Sequence, residues 1–551
     1  MILDKINSPA DLKKISVSEL PVVANEIREG LFNRLTKIGG HFGPNFGFVE
    51  ATIALHYVFD SPNDKFVFDV SHQAYAHKML TGRKAGYFDD SRFSEDSGYT
   101  NPDESEHDFF NIGHTSTSIA LALGLAKGRD ILGKKENIVA IIGDGSLSGG
   151  EALEALSVAG SELNSNFIVV VNDNEQAIAE THGGLYKNLK ALRDSNGKSE
   201  NNMFRAWGLD YIYEENGNDI ASLIAVFEKV RDSNRPVVVH IHTQKGKGYE
   251  LAEKDKEGWH WCVPFDRTTG KPTVNFGSGE SYLGITSQYI DTGIAEEAAV
   301  AIASGIARRG AKPLVVTNMT FLQRAYDQIS QDVCINKTPV TMLMNYSSFD
   351  GLTDVTHLGI FGLAAFTNIP NLVVLCPSSA EEYISMLDWS LDSKQKENPV
   401  LILIPGNAVS HRPSDKNYSA LNRFKIEKQG EKVAIIALGD FFQKGEELAS
   451  AIKEGCGFTP TLINPRFASG LDEELLHDLE KNHQLVLTLE DGILEGGFGQ
   501  KIASFYGPNK MLVKNYGLKK QFYDRYNPDE LLQECGMTTE QIVEDIKALL
   551  K

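Results

Sequence analysis

The sequence predicts an α/β protein built on parallel sheets, and three observations carry that prediction. Short unbroken apolar runs recur, such as Val-Ala-Ile-Ile at 139–142 and Phe-Ile-Val-Val-Val at 167–171, as strands buried on both faces require. The first ends in a Gly-Asp-Gly turn that gives way to a helical stretch, and the second ends in Asn-Asp-Asn. The 551 residues suffice for about three domains.

In chain order, residues 1–40 read as one or two helices. Ser16-Val17-Ser18-Glu19 has capping-box spacing for a start, and Gly39 and Gly40 supply a stop. A glycine-rich loop carrying His41 precedes an apolar helix at 49–58, and a strand at 66–70 ends beside His72. Gly113-His114-Thr115-Ser116 opens a helix of small residues. The strand at 139–142 runs into Gly143-Asp144-Gly145, a helix at 151–159 follows, and the next strand delivers Asn172-Asp173-Asn174. Residues 181–202 read as a polar loop, 237–242 as a strand, and the Gly/Ser/Thr-rich stretch 265–290 as a linker. Toward the C-terminus, strands at 433–438, 461–463 and 485–489 alternate with helices at 445–454 and 473–482, making a small α/β domain. Gly-Gly-Phe-Gly at 496–499 reads as helix-packing glycines rather than a nucleotide loop.

The balance of 54 basic against 74 acidic residues, net charge −20, argues against nonspecific binding to nucleic acid or anionic membranes. The opening Met-Ile-Leu-Asp-Lys lacks a signal-peptide core, and no 18-residue apolar run occurs, so the expectation is a cytoplasmic protein without a membrane span. Five cysteines are scattered without metal-like spacing, as free thiols in a reducing compartment are.

The chemistry concentrates between residues 141 and 176. Gly143 and Gly145 let the backbone approach a ligand closely, and the following helix offers its N-terminus to an anion. Thirty residues after Asp144, Asn174 leaves the end of a second strand. An Asp and an Asn at neighbouring strand ends can hold Mg²⁺ through oxygen, with phosphate oxygens completing the shell. The expectation is a Mg²⁺-bridged diphosphate. His41, His72 and His114, each beside glycine or hydroxyl residues, suggest a polar pocket above the sheet, where imidazoles donate hydrogen bonds and move protons. Taken singly, each also fits a structural histidine.

Gly-Asp-Gly followed at this spacing by Asn-Asp-Asn resembles the thiamine diphosphate signature of the transketolase superfamily. Gly-Gly-His-Phe-Gly-Pro-Asn-Phe-Gly at 39–47, the segment 68–83, Gly-His-Thr-Ser-Thr-Ser at 113–118, Lys-Gly-Lys-Gly-Tyr-Glu at 245–250 and Thr-Phe-Leu-Gln-Arg-Ala-Tyr-Asp-Gln at 320–328 are similar to the 1-deoxy-D-xylulose-5-phosphate synthase family. The resemblance implies three doubly wound α/β domains of transketolase type: diphosphate-binding (1–270), pyrimidine-binding and trimmed at its start (271–420), and C-terminal (421–551). It implies a homodimer with thiamine diphosphate and Mg²⁺, acting on a 2-oxo acid donor and an aldehyde acceptor.

Carried over residue by residue, Asp144, Asn174 and the backbone of Gln176 would ligate Mg²⁺. His72, Gly113, His114, Thr115, Gly145, Ser146, Asn174 and Tyr249 would line the cofactor. Glu296 would activate its pyrimidine and Phe321 would stack on it. His41, His72, His260 and His357 would serve the substrate. The chain also departs from the pattern. The family anchors its substrate phosphate with a Tyr and two Arg, where this chain has Asn318, Tyr346 and Pro405, and Ala298 replaces a histidine. Asp354, in Gly-Leu-Thr-Asp-Val-Thr-His at 351–357, sits one place from the expected carboxylate. Three readings follow: a synthase of this family, a paralogue with another acceptor or a transketolase-like donor, or a noncatalytic relative that binds the cofactor.

Overall fold

The computed structural model describes residues 1–274, 290, 292–392, 398–404 and 410–551. Pro405 and most of the linker at 265–290 lie outside the described residues. The chain forms two compact units, Met1–Ala295 and Glu296–Lys551.

The first unit holds five parallel strands: β1 (Lys65–Phe68), β2 (Ile138–Gly143), β3 (Phe167–Asp173), β4 (Asp210–Glu214) and β5 (Pro236–His242), in the order β1-β2-β3-β5-β4. Alternation along each strand feeds two cores. Val139, Ile141, Ile168 and Val170 face one, while Ala140, Ile142, Val169 and Val171 face the other. That two-sided burial is why the strands read as continuous apolar runs rather than alternating ones.

Two elements differ from the sequence expectation. The first strand stops at Phe68, because Val70 and Ser71 both adopt left-handed φ values (58° and 67°) and turn the chain toward His72. The polar stretch 181–202 contains a helix, Gly184–Asp194, whose Leu189 and Leu192 are fully buried. Its hydrophobic residues are few but fall on one face, so a reading by polarity misses it. The first long helix runs Leu20–Ile38. Ser16 opens a 3₁₀ turn before it rather than capping it, and Gly39 ends it at φ 75°.

The second unit holds two sheets. Four parallel strands, β6 (Leu314–Asn318), β7 (Thr341–Asn345), β8 (Val373–Leu375) and β9 (Val400–Leu403), are ordered β8-β9-β7-β6. Five more, β10 (Lys425–Lys428), β11 (Lys432–Ala437), β12 (Thr461–Asn464), β13 (His483–Ile493) and β14 (Leu512–Leu518), are ordered β10-β12-β11-β13-β14, with only β10 antiparallel. The glycines at 496–499 do pack a helix. The amides of Phe498 and Gly499 donate to the buried Glu490 carboxylate, so that helix N-terminus is filled from within the chain. Among the described residues, no helix is long and apolar enough to cross a membrane.

Candidate active site

In the first unit the catalytic-looking side chains gather at the carboxyl ends of β2 and β3. Gly143 pairs with Asn172, so Asp144 and Asn174 leave adjacent strands side by side. Asp144 is 1% exposed, and neither carboxylate oxygen has a partner of hydrogen-bonding geometry. Burial, and then the neighbouring Asp173, push its pKa well above the carboxylate range, while the Gly145 amide and Lys245 offset only part. An orphaned buried carboxylate is costly unless a cation satisfies it. The donor set fits a hard cation: one carboxylate, a carboxamide and backbone carbonyls leave room for phosphate oxygens. Asn174 is buried, and its Oδ1 accepts the Gln176 amide at 3.2 Å. Gly145 is required here, since a Cβ would lie 2.9 Å from the Cα of Ala177.

The loop carrying Gly113, His114 and Thr115 is tied to the same turn. Buried Asp69 accepts the amides of Ser116 and Ser118 at 2.9 and 3.0 Å, and the Ser116 hydroxyl donates to the Ser146 carbonyl at 2.8 Å.

Three of the predicted histidines cluster. The rings of His41 and His72 are 5.7 Å apart, His41 and His260 5.7 Å, and His72 and His260 5.8 Å. A two-residue antiparallel ribbon, Gly40–His41 with Trp261–Cys262, brings His260 to His41. Burial, then the charge of Lys245, lowers the His72 pKa to about 4, and the same causes drive His260 down, so both imidazoles are neutral at pH 7. Buried Nδ1 atoms of both have no partner.

Two residues that sequence reasoning missed organise this cluster. Asn45 donates from Nδ2 to the carbonyls of His41 (2.8 Å) and His72 (2.7 Å) and accepts the Tyr75 amide. Lys245, 1% exposed, donates to the Ala177 carbonyl at 2.8 Å, and burial lowers its pKa to about 8 against the pull of Asp144. Its place in Lys-Gly-Lys-Gly-Tyr was the available signal. Arg28 braces the two loops from below, bonding Glu50, Phe46 O and Lys247 O. Tyr249 stands in an aromatic group with Phe32, Phe42 and Trp259, its hydroxyl on the Arg267 carbonyl.

In the second unit, Glu296 begins the helix Glu296–Arg308. Its buried Oε2 lacks a hydrogen-bond partner, with Arg324 Nη1 at 3.8 Å, and burial raises its pKa despite that arginine. Phe321 packs edge-on against His357 at 5.6 Å. His357 Nδ1 lies 2.8 Å from the Thr356 hydroxyl and 3.8 Å from Asp354. Burial would raise the Asp354 pKa, but hydrogen bonds from His357 and Thr356 prevail and hold it low. Asn318 ends β6, and Tyr346 is partly exposed at φ 52°. His411 and Arg412 are engaged by Glu381 and Glu446.

Residues 3–200 and 195–243 match the family described as 1-deoxy-D-xylulose-5-phosphate synthase, 224–410 the transketolase pyrimidine binding domain, and 422–542 the transketolase C-terminal domain. The protein is thus a thiamine diphosphate-dependent transferase of the transketolase class, a class that works with Mg²⁺. The 1-deoxy-D-xylulose-5-phosphate synthase of Caldanaerobacter subterraneus is 35% identical over 617 aligned positions, covering 99% of this chain and 98% of the relative. Those of Geobacter sulfurreducens (synthase 1) and Dictyoglomus thermophilum are 34% and 35% identical, each covering all of this chain and 97% and 99% of the relative. The chain belongs to the 1-deoxy-D-xylulose-5-phosphate synthase family.

Proposed function

We propose that this chain decarboxylates pyruvate, or a close 2-oxo acid, and ligates the two-carbon unit to an aldehyde. The family's acceptor is D-glyceraldehyde 3-phosphate, giving 1-deoxy-D-xylulose 5-phosphate and CO₂. The observation that carries the reading is the unpartnered carboxylate of Asp144 beside Asn174. Thiamine diphosphate, when bound, supplies the nucleophilic carbon and the electron sink for decarboxylation and transfer.

The chain's own residues orient and protonate. Asp144, Asn174 and the Gln176 carbonyl hold the cation. Gly145, Ser146, His72, Tyr249 and the segment Gly113, His114 and Thr115 line the cofactor. Glu296, its carboxyl pushed up by burial and its Oε2 without a hydrogen-bond partner, would share a proton with the pyrimidine nitrogen, and Phe321 would stack on that ring. His41 and the neutral His72 and His260 exchange hydrogen bonds with substrate oxygens. His357, steadied by Thr356 and Asp354, is a further candidate for contact with substrate. Domains bounded at 1–270, 271–420 and 421–551, working as a homodimer, complete the reading. The 617-position alignment against 551 residues supports a shortened chain.

A second reading is favoured by Asn318 and Tyr346: an acceptor not anchored by phosphate. Losing two charge-assisted contacts costs about 1.5–3 kcal/mol each. Pyruvate-dependent CO₂ release decides. Faster turnover with D-glyceraldehyde 3-phosphate than with D-glyceraldehyde supports the first reading, and equal or better use of the unphosphorylated aldehyde supports the second. No CO₂ with any acceptor, despite bound cofactor, would overturn both in favour of a noncatalytic relative.

A further inference from the structure

The helix Gly184–Asp194 touches both turns that carry the proposed cation ligands. At its N-terminal end, the Tyr186 hydroxyl reaches the Gly145 carbonyl at 3.4 Å, next to Asp144. At its C-terminal end, Arg193 forks: Nη1 bonds Asp173 and Nη2 pairs with Glu175 at 3.0 Å. Asp173 and Glu175 are the residues on either side of Asn174.

The turn between them needs support. Glu175 has φ 66°, a left-handed conformation that costs a non-glycine residue energy. Its amide donates to Asp173 Oδ1 at 3.1 Å, and the Gln176 amide donates to Asn174 Oδ1 at 3.2 Å, so Asn174 is aimed by an Asx turn. Asp173 is anchored from behind by His240 Nε2 at 2.8 Å, whose Nδ1 meets the Tyr211 hydroxyl at 2.8 Å. A planar guanidinium presents its donors in a rigid fork that can span two carboxylates, whereas an ammonium is a point charge with rotatable donors. Arg193 is packed by the helix itself, whose Leu189 and Leu192 are fixed in the core.

We propose that Arg193 is a positioning residue for Mg²⁺: with Tyr186 it ties the turns bearing Asp144 and Asn174 to one helix. The inference rests on the cation-site reading of Asp144 and Asn174. Partners behind metal ligands commonly contribute 10–100-fold in affinity.

The test uses Mn²⁺ as the probe, with thiamine diphosphate present, read by electron paramagnetic resonance of free Mn²⁺ and by calorimetry. In Arg193→Gln, the Mn²⁺ concentration for half-saturation is expected to rise at least about 10-fold. At saturating Mn²⁺, affinity for thiamine diphosphate should return to near the wild-type value, a split that general structural damage would not produce. Arg193→Lys should lie between the two. If Arg193→Gln does not fold, Glu175→Gln decides: it keeps the Asp173 pair, removes one branch of the fork at a partly exposed residue, and should raise half-saturation a few-fold. A folded variant with unchanged half-saturation overturns the positioning role alone. A wild-type chain that binds no Mn²⁺ in the presence of the cofactor overturns the cation-site reading and the positioning role with it.

Discussion

The amide of Phe349 donates to Asp491 Oδ1 at 3.0 Å, which hangs the loop bearing Asp354 and His357 from the C-terminal sheet. Tyr526 adds a bond to the Phe349 carbonyl, Arg525 one to Thr353, and Asp524 accepts the Val355 amide. Asp491 also faces buried Asp440, which accepts the Ser348 hydroxyl. Burial, then mutual repulsion, raises Asp491 well above the carboxylate range, and burial raises Asp440. A raised carboxyl pKa means the folded state keeps a proton that the unfolded chain releases. Stability is therefore lost as pH rises from about 4 upward through the raised value. Asp491→Asn removes that loss while its amide can still bond Asp440. The melting temperature of the variant, relative to wild type, is expected to climb between pH 5 and 8. A constant difference across that range would refute the shared-proton account.

Asp144 is expected to trade stability for binding. Its buried carboxylate oxygens have no hydrogen-bond partner in the chain. Asp144→Asn should stabilise the cofactor-free protein at pH 8 by about 1–3 kcal/mol, the desolvation cost of an unsatisfied group. The gain should shrink at acid pH, where the wild-type carboxyl is protonated. The same variant should lose Mg²⁺-dependent thiamine diphosphate binding. Denaturant melts with and without Mg²⁺ and cofactor measure both effects.

His72, at about 4, should not titrate between pH 5.5 and 8, and its ring ¹⁵N shifts should report a neutral imidazole throughout. Because the folded pKa is depressed below about 6.5, its contribution to stability is lost as pH falls from 6.5 toward 4. His72→Asn should make that acid limb shallower. A His72 resonance moving with a midpoint near 6.5 would contradict the buried cluster.

Asn45, itself buried, makes three hydrogen bonds that hold His41 and His72 in register. Asn45→Ala strands two carbonyls and an amide, so a loss of about 2–4 kcal/mol is expected in chemical denaturation. The histidine ring resonances of the folded variant should shift together.

Glu296 is read as the residue that keeps a proton for the cofactor's pyrimidine. Glu296→Ala should abolish enzyme-accelerated exchange of the thiazolium proton, followed by NMR after a D₂O quench, while leaving cofactor binding within a few-fold. Exchange at the wild-type rate would sink that role.

The parallel strands were legible in the chain because a strand buried on both faces must be apolar at every position, as in Phe-Ile-Val-Val-Val before Asn172. The Asp144 and Asn174 pair was legible because glycine turns and short oxygen ligands are local features with fixed spacing. What local sequence could not decide was which side chains meet across long separations. Lys245 reaches Ala177, Asn45 joins His41 to His72, and Arg193 straddles Asn174 only after the strands have stacked and water is gone. The orphaned charge of Asp144 and the depressed pKa of His72 arise from the same desolvation, which belongs to the packed structure and to no single stretch of sequence.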